Sequence, residues 1–264
     1  MRICAIALAV GLALSPTIAA AQTVPVDPGA MGKGRPIMGT TQNLPSLDSA
    51  DPYDAGRGFA PQLRRIYETG TIRSLQKDVA EQAHQTIRAW QRKHADSARP
   101  AVVFDVDDTM LNNYLEYSTN DPAFSYDPAK DTEFALECKA TANVPVRRLF
   151  RQLQQDGFRI GIITGRPESQ RAATRDCLRQ RGYSSWNTLI TRTEATSSLS
   201  SARFKAKERM ALQAKGWTIV ASVGDQISDM SYGRMKYGFL MPNPMYYLPY
   251  RPRTCHPPCR APPC

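Results

Sequence analysis

Ala101-Val102-Val103-Phe104-Asp105-Val106-Asp107-Asp108-Thr109 begins as an apolar run and closes on Asp105, Asp107 and Asp108. A short apolar run bounded by polar residues reads as a buried strand, here over about 101–105. Side chains alternate along a strand, so Asp105 and Asp107 share a side while it lasts. Two carboxylates that close, at the mouth of a buried strand, require a cation or a shared proton.

The chain around this strand alternates helical and strand-like segments. Upstream, Ile72, Leu75, Val79, Ala83, Ile87 and Trp90 recur every three or four residues, which predicts an amphipathic helix over 71–94. His84 and His94 fall in or near it and read as surface or packing histidines. Downstream, Pro145 and the stripe Val146, Leu149, Phe150 and Leu153 predict a helix over 145–156 that Gly157 ends. Strands follow at 159–163, 187–191, 218–223 and 238–241, with helices at 168–181, 202–215 and near 227–236; Gly182 and Gly216 end the first two of these helices. Such alternation implies an α/β fold, a parallel sheet covered by helices on both faces.

Four polar clusters fall at strand ends or beside them. Asp105 and Asp107 close the first strand, Thr164-Gly165-Arg166 the second, and Gly224-Asp225 the fourth, with Asp229 one turn later. Lys205 lies on the helix before that fourth strand. Each alone reads as an ordinary cap, turn or solvated residue. Together they sit where open parallel sheets bind ligands, outside the carboxyl ends of the strands. The set suits phosphoryl transfer, which needs an in-line nucleophile and positive charge around the equatorial oxygens. A carboxylate can be that nucleophile. Magnesium favours carboxylates, water and phosphate oxygens. The Thr164 hydroxyl, the Gly165 amide and the Lys205 ammonium supply phosphate donors.

These motifs, with Phe204-Lys205-Ala206-Lys207-Glu208-Arg209 and Leu240-Met241-Pro242-Asn243-Pro244-Met245-Tyr246-Tyr247, resemble the haloacid dehalogenase-like phosphatases. The likeness is closer to the acid phosphatase family that includes bacterial class B-type enzymes and plant vegetative storage proteins. It runs from about Ile66 to Tyr250. It implies a Rossmann-like sheet with a small cap insert after strand one, over 110–143, whose aromatics either grip a leaving group or form a satellite cluster. By the same resemblance, Asp105 is the nucleophile and Asp107 the general acid/base, with its backbone carbonyl on Mg2+. Thr164, Gly165 and Lys205 bind the phosphate, and Asp225 is a metal ligand with Asp229 as its outer partner. The metal set is thus Asp105, Asp107, Asp225 and Asp229. Relatives usually carry Glu where this chain has Asp108, and storage-type relatives can lack the nucleophile that is intact here. The implied activity is magnesium-dependent hydrolysis of small phosphate monoesters through a phospho-aspartate. The alternatives are transfer to alcohol acceptors on the same residues, and a non-catalytic binding or storage protein.

The flanks have other compositions. Residues 1–21 read as a secretory signal: Arg2, a short apolar run to Leu14, then Ala19-Ala20-Ala21. The domain is expected at 61–250, after a Pro/Gly-rich flexible arm at 22–60 and before a Pro/Cys-rich tail at 251–264. An exported protein, periplasmic or secreted, is expected. Of five cysteines left beyond the signal, Cys138 and Cys177 lie in the domain, where one internal disulfide between them is an expectation. The odd count leaves at least one thiol free or joined to another molecule. The formal charge of +10 suits anionic partners in a general way, but there is no block of five or six like charges. Small phosphorylated substrates are therefore expected as partners, with no nucleic acid and no membrane span.

Overall fold

The computed structural model describes residues 37–38 and 59–246. Its main sheet has six strands: β1 (Ile37–Met38), β2 (Pro100–Phe104), β5 (Arg159–Pro167), β6 (Thr188–Arg192), β7 (Thr218–Gly224) and β8 (Tyr237–Leu240). Their order is β1-β8-β7-β2-β5-β6, and every pairing is parallel. The strand that carries the acidic motif is therefore central, flanked by β5 and β7. Its register sets Phe104 beside both Ile162 and Val223.

The pleat divides the core. Val102 and Phe104 pack with Ile160, Ile162 and Val220 against α2 (Thr71–Lys93) and α5 (Val144–Gln155). Ala101 and Val103 face the other way, with Ile163, Ile219 and Trp217, against Phe204 and Leu212 of α8 (Ser201–Ala214). A strand apolar on both faces is what a doubly covered parallel sheet requires. The expected α/β architecture is the one observed.

The remaining elements are α1 (Ala60–Glu68), α3 (Tyr114–Thr119), α4 (Pro128–Leu136), α6 (Arg171–Gln180) and α7 (Glu194–Ser197), with β3 (Leu111–Asn112) pairing antiparallel to β4 (Thr141–Ala142). The 110–143 insert is thus a two-stranded ribbon closed over two helices. Part of it forms a satellite cluster, Tyr117 and Phe124 packing with Leu63, Met245 and Tyr246. Cys138 and Cys177 are joined by a disulfide, tying the end of the insert to α6. His84 bonds Asp156 at 2.8 Å and His94 stacks on Trp90, so both are packing residues.

Three expectations change. The helix expected near 227–236 is a single turn, Ile227–Asp229. Tyr232, Gly233 and Arg234 all have positive φ, which a right-handed helix cannot absorb. The buried Arg209 guanidinium takes the carbonyls of Asp229, Ser231 and Gly233 that a helix would have used. Second, β5 runs on to Pro167, so Thr164-Gly165-Arg166 lies within its last part, where the pairing to β6 slips. Third, the arm at 22–60 contributes β1 to the sheet edge and Ala60 to α1. Apart from Phe59, which caps α1, the remainder of the arm, the signal at 1–21 and the tail at 251–264 lie outside the described residues.

Candidate active site

Asp105 leaves β2 in extended conformation and its N–H is held by the Val223 carbonyl at 2.9 Å. The chain then turns abruptly: Asp107 remains extended and Asp108 is left-handed, with φ 53°. This turn separates the three carboxylates. Asp105 points at Lys205, Asp107 at Arg166, and Asp108 into the protein.

Lys205, on α8, donates to Asp105 Oδ1 at 2.6 Å and also to Asp229 Oδ1. Burial opposes the Lys205 ammonium, but the two carboxylates override it and its pKa lies above the ordinary value. Asp229 also accepts the Gln226 N–H at 2.9 Å. A Cβ at residue 224 would run into the Asp229 side chain, so Gly224 permits that close approach.

Asp225 directly follows β7 and accepts three bonds: from Thr109 Oγ1 at 3.0 Å, Gln226 Nε2 at 2.6 Å and Asn243 Nδ2 at 2.8 Å. Burial, and then the charges of Asp229 and Asp108, push its carboxyl up to about 7. Burial likewise raises Asp105 well above its ordinary value, with Lys205 opposing and the neighbouring carboxylates adding to the rise. Asp108 accepts the Asn113 N–H and the Tyr246 hydroxyl, and burial pushes it to about 7. The Tyr246 hydroxyl, from the last motif, donates to Asp108 Oδ2 at 2.8 Å.

Asp107 behaves oppositely. Arg166 grips it with Nε 3.0 Å from Oδ2 and Nη2 2.7 Å from Oδ1, and Asn113 Nδ2 adds a bond of 3.1 Å. Burial pushes the Asp107 carboxyl up, but Arg166 and these bonds prevail and hold it below its ordinary value. Arg166 is itself 7% exposed and braced by Thr174. Thr164 is fully buried, and its Oγ1 accepts the Arg166 N–H at 3.2 Å, which leaves its own proton to donate.

A cavity of about 420 Å³ opens over these groups, with Asp105, Asp107, Gly165, Lys205 and Asp225 in its wall. The insert covers it with Tyr117, Tyr126 and Asp131, so its aromatics both fill a satellite cluster and face the cavity. Arg192 and Ser201 line it as well.

The donor set fits a hard divalent cation. Asp105, Asp225 and Asp229 are buried and offer oxygens all within 4.8 Å of one another. Lys205 bonds two members of this trio, Asp105 and Asp229. All-oxygen ligation of this kind suits Mg2+. The Asp107 side chain is turned away from the trio toward Arg166.

The structure brings together the sequence-expected Asp105, Asp107, Gly165, Lys205 and Asp225 at one cavity, with Thr164 and Asp229 buried beside it. Sequence reasoning passed over Arg166, Arg209, Thr109, Gln226 and Asn243 as site residues. All five lie in or next to the quoted motifs, and that adjacency was the available signal.

Residues 63–249 match the family model for the HAD superfamily, subfamily IIIB (Acid phosphatase). Acid phosphatase 1 of Solanum lycopersicum is 33% identical over 205 residues, covering 76% of this chain and 74% of that protein. Vegetative storage protein 1 of Arabidopsis thaliana is 30% identical over 153 residues, 56% of this chain and 55% of its own length. Among solved structures, the class C acid phosphatase from Bacillus anthracis aligns with a TM-score of 0.61 at 19% identity, over 75% of this chain and 87% of that one. This last likeness is one of fold.

Proposed function

The chain belongs to the acid phosphatases of HAD superfamily subfamily IIIB, a family of phosphoric monoester hydrolases, and on that premise we propose that it hydrolyses small phosphate monoesters with Mg2+ through a phosphorylated Asp105. The observation that carries this reading is the buried convergence of Asp105, Lys205, Asp225 and Asp229 beneath an open cavity.

Asp105 attacks phosphorus in line, forming an acyl phosphate as the ester oxygen departs. The transferring group is held by the Thr164 hydroxyl, the Gly165 amide and the Lys205 ammonium. Asp107 gives a proton to the departing oxygen, then takes one from the water that cleaves the acyl phosphate. Arg166 orients Asp107 for both steps, and its charge keeps the carboxyl ionised until the pH is low. That dependence is the physical source of an acid optimum. Asp105, Asp225 and Asp229, with the Asp107 carbonyl, would hold Mg2+, which when bound would supply positive charge to the phosphoryl oxygens. We propose export to the periplasm or exterior from the segment at 1–21; no helix among the described residues is long and apolar enough to cross a membrane.

Turnover of p-nitrophenyl phosphate, abolished by chelation and restored by Mg2+, is the test. Full activity in metal-free protein would sink the metal assignment. A second reading, a storage protein on this fold, is favoured by the likeness to Vegetative storage protein 1. Absence of turnover in the Mg2+-loaded protein would select it.

A further inference from the structure

The insert brings into the catalytic cavity a carboxylate that the steps above leave unused. Asp131, half-buried on α4, lines the same wall as Asp105 and Asp107. It makes no side-chain hydrogen bond or ion pair among the described residues, and its oxygens remain accessible. The cations in the wall are engaged elsewhere: Arg166 with Asp107, Lys205 with Asp105 and Asp229, and Arg192 with the Thr196 and Leu199 carbonyls. The insert itself lends the wall no Lys or Arg. Nor does α4 need Asp131 as a cap, since Asp127 already accepts the Ala129 and Lys130 N–H groups.

A second unpaired group reaches the cavity from another element. Gln170, in the single turn Glu168–Gln170 that leads into α6, is 7% exposed and lines the cavity. Its amide makes no hydrogen bond among the described residues and is likewise accessible. The elements that carry Asp131 and Gln170 are fixed to one another. α4 packs against α6, and the Cys138–Cys177 bridge fastens the chain just beyond α4 to α6. Arg181 adds bonds to the Cys138 and Ala140 carbonyls. Polar groups in a cavity wall with no protein partner are completed by a ligand that supplies the missing donors.

Asp131 lies on the leaving-group side. Asp107, the expected proton donor to the ester oxygen, is bonded by Asn113 of the same insert, and its charge acts on Asp131. Burial, and then Asp107, raise the Asp131 carboxyl to about 6, with Arg166 opposing. A hydroxyl on the leaving group satisfies a hydrogen bond; a cation also answers the charge. Tyr117 and Tyr126 share the wall, and aromatic faces attract cations. Resting on the hydrolase reading above, we propose that Asp131, with the Gln170 amide oxygen as second acceptor, makes the cavity selective for phosphate monoesters of amino alcohols, the ammonium of the leaving group pairing with Asp131. The ammonium binds and is not transferred.

The test is kcat/KM of the Mg2+-loaded, full chain at pH 7 for phosphoethanolamine, 2-hydroxyethyl phosphate and propyl phosphate, esters of similar length that carry a cation, a neutral donor and neither. Phosphoethanolamine should be preferred to propyl phosphate, and Asp131→Asn should cut that ratio about tenfold, the worth of one charge-assisted hydrogen bond. Asp131→Glu, which keeps the charge, should retain most of it, and Gln170→Leu should lower it by a smaller factor. The ratio cancels the greater acidity of the ethanolamine hydroxyl, which no substitution alters, and any purely structural damage, which lowers all three esters alike. A ratio that Asp131→Asn leaves unchanged, or 2-hydroxyethyl phosphate losing as much as phosphoethanolamine, overturns the proposal, while turnover of p-nitrophenyl phosphate still upholds the hydrolase reading. Absence of turnover with every ester overturns both.

Discussion

Arg166 holds both carboxylate oxygens of Asp107, two residues beyond the expected nucleophile and 59 positions away in sequence. In the proposed mechanism the grip positions Asp107 as general acid, and it also makes that carboxyl a stronger acid. Arg166→Met removes the charge that lowers the Asp107 pKa. The Asp107 proton should then persist to higher pH, and the basic limb of the pH–rate profile for an alkyl phosphate should move upward. With its orientation lost, kcat should fall by on the order of 10²-fold. An unmoved basic limb would detach the pairing from proton transfer.

Asp105 and Asp107 should fail differently. Asp105→Asn removes the nucleophile, and rapid-quench trapping should recover no phosphoenzyme. Asp107→Asn retains it. An activated aryl phosphate, whose leaving group needs little protonation, should still phosphorylate Asp105, and the intermediate should accumulate because no base activates water. Alkyl phosphates should lose the first step as well, by about 10²–10⁴-fold. Phosphoenzyme in Asp105→Asn would show the roles to be wrong.

Glu116 is 3% exposed, with both side-chain oxygens unbonded. Burial, then the charges of Asp131, Asp108 and Asp107, push its carboxyl from 4.5 to about 9. A group raised on folding stabilises fully below its unfolded value, and that contribution is lost as pH rises through the folded one. Stability should therefore decline between pH 4.5 and about 9. Glu116→Gln, neutral throughout, should flatten that decline and stabilise the protein at pH 7 by up to roughly 3 kcal/mol, at about 1.4 kcal/mol per pH unit. Denaturant titrations of both proteins at pH 5 and pH 8 measure the difference.

The Cys138–Cys177 bridge spans 39 positions. On the chain-entropy model its loss costs up to about 4 kcal/mol. The doubly substituted Cys138→Ser, Cys177→Ser protein should melt lower than the oxidised parent, and reductant should lower the parent's Tm while leaving the variant's unchanged. Equal melting of the two would place the bridge outside the folded state's stability.

Metal removal gives a readout separate from turnover. Three buried carboxylates within 4.8 Å repel one another, so Mg2+ at about 100 times its Kd should stabilise the chain by about 2.7 kcal/mol. Asp225→Asn should abolish that Mg2+-dependent rise in Tm. A rise that survives the substitution would place the ion elsewhere.

The sequence by itself determined the parallel sheet, the strand that ends in Asp105, and the clusters at Thr164, Lys205 and Asp225. Those follow from local rules: apolar runs, glycines that stop helices, and ligands gathering at strand ends. Tertiary structure alone decided the partners. Arg166 reaches Asp107 because β5 pairs beside β2 with Phe104 opposite Ile162. Three donors from three segments close on Asp225, and Arg209 unwinds the expected last helix by taking its carbonyls. Periodicity reports which face of an element is buried. Which polar groups then meet depends on register and packing between segments far apart in the chain, and no local pattern encodes that.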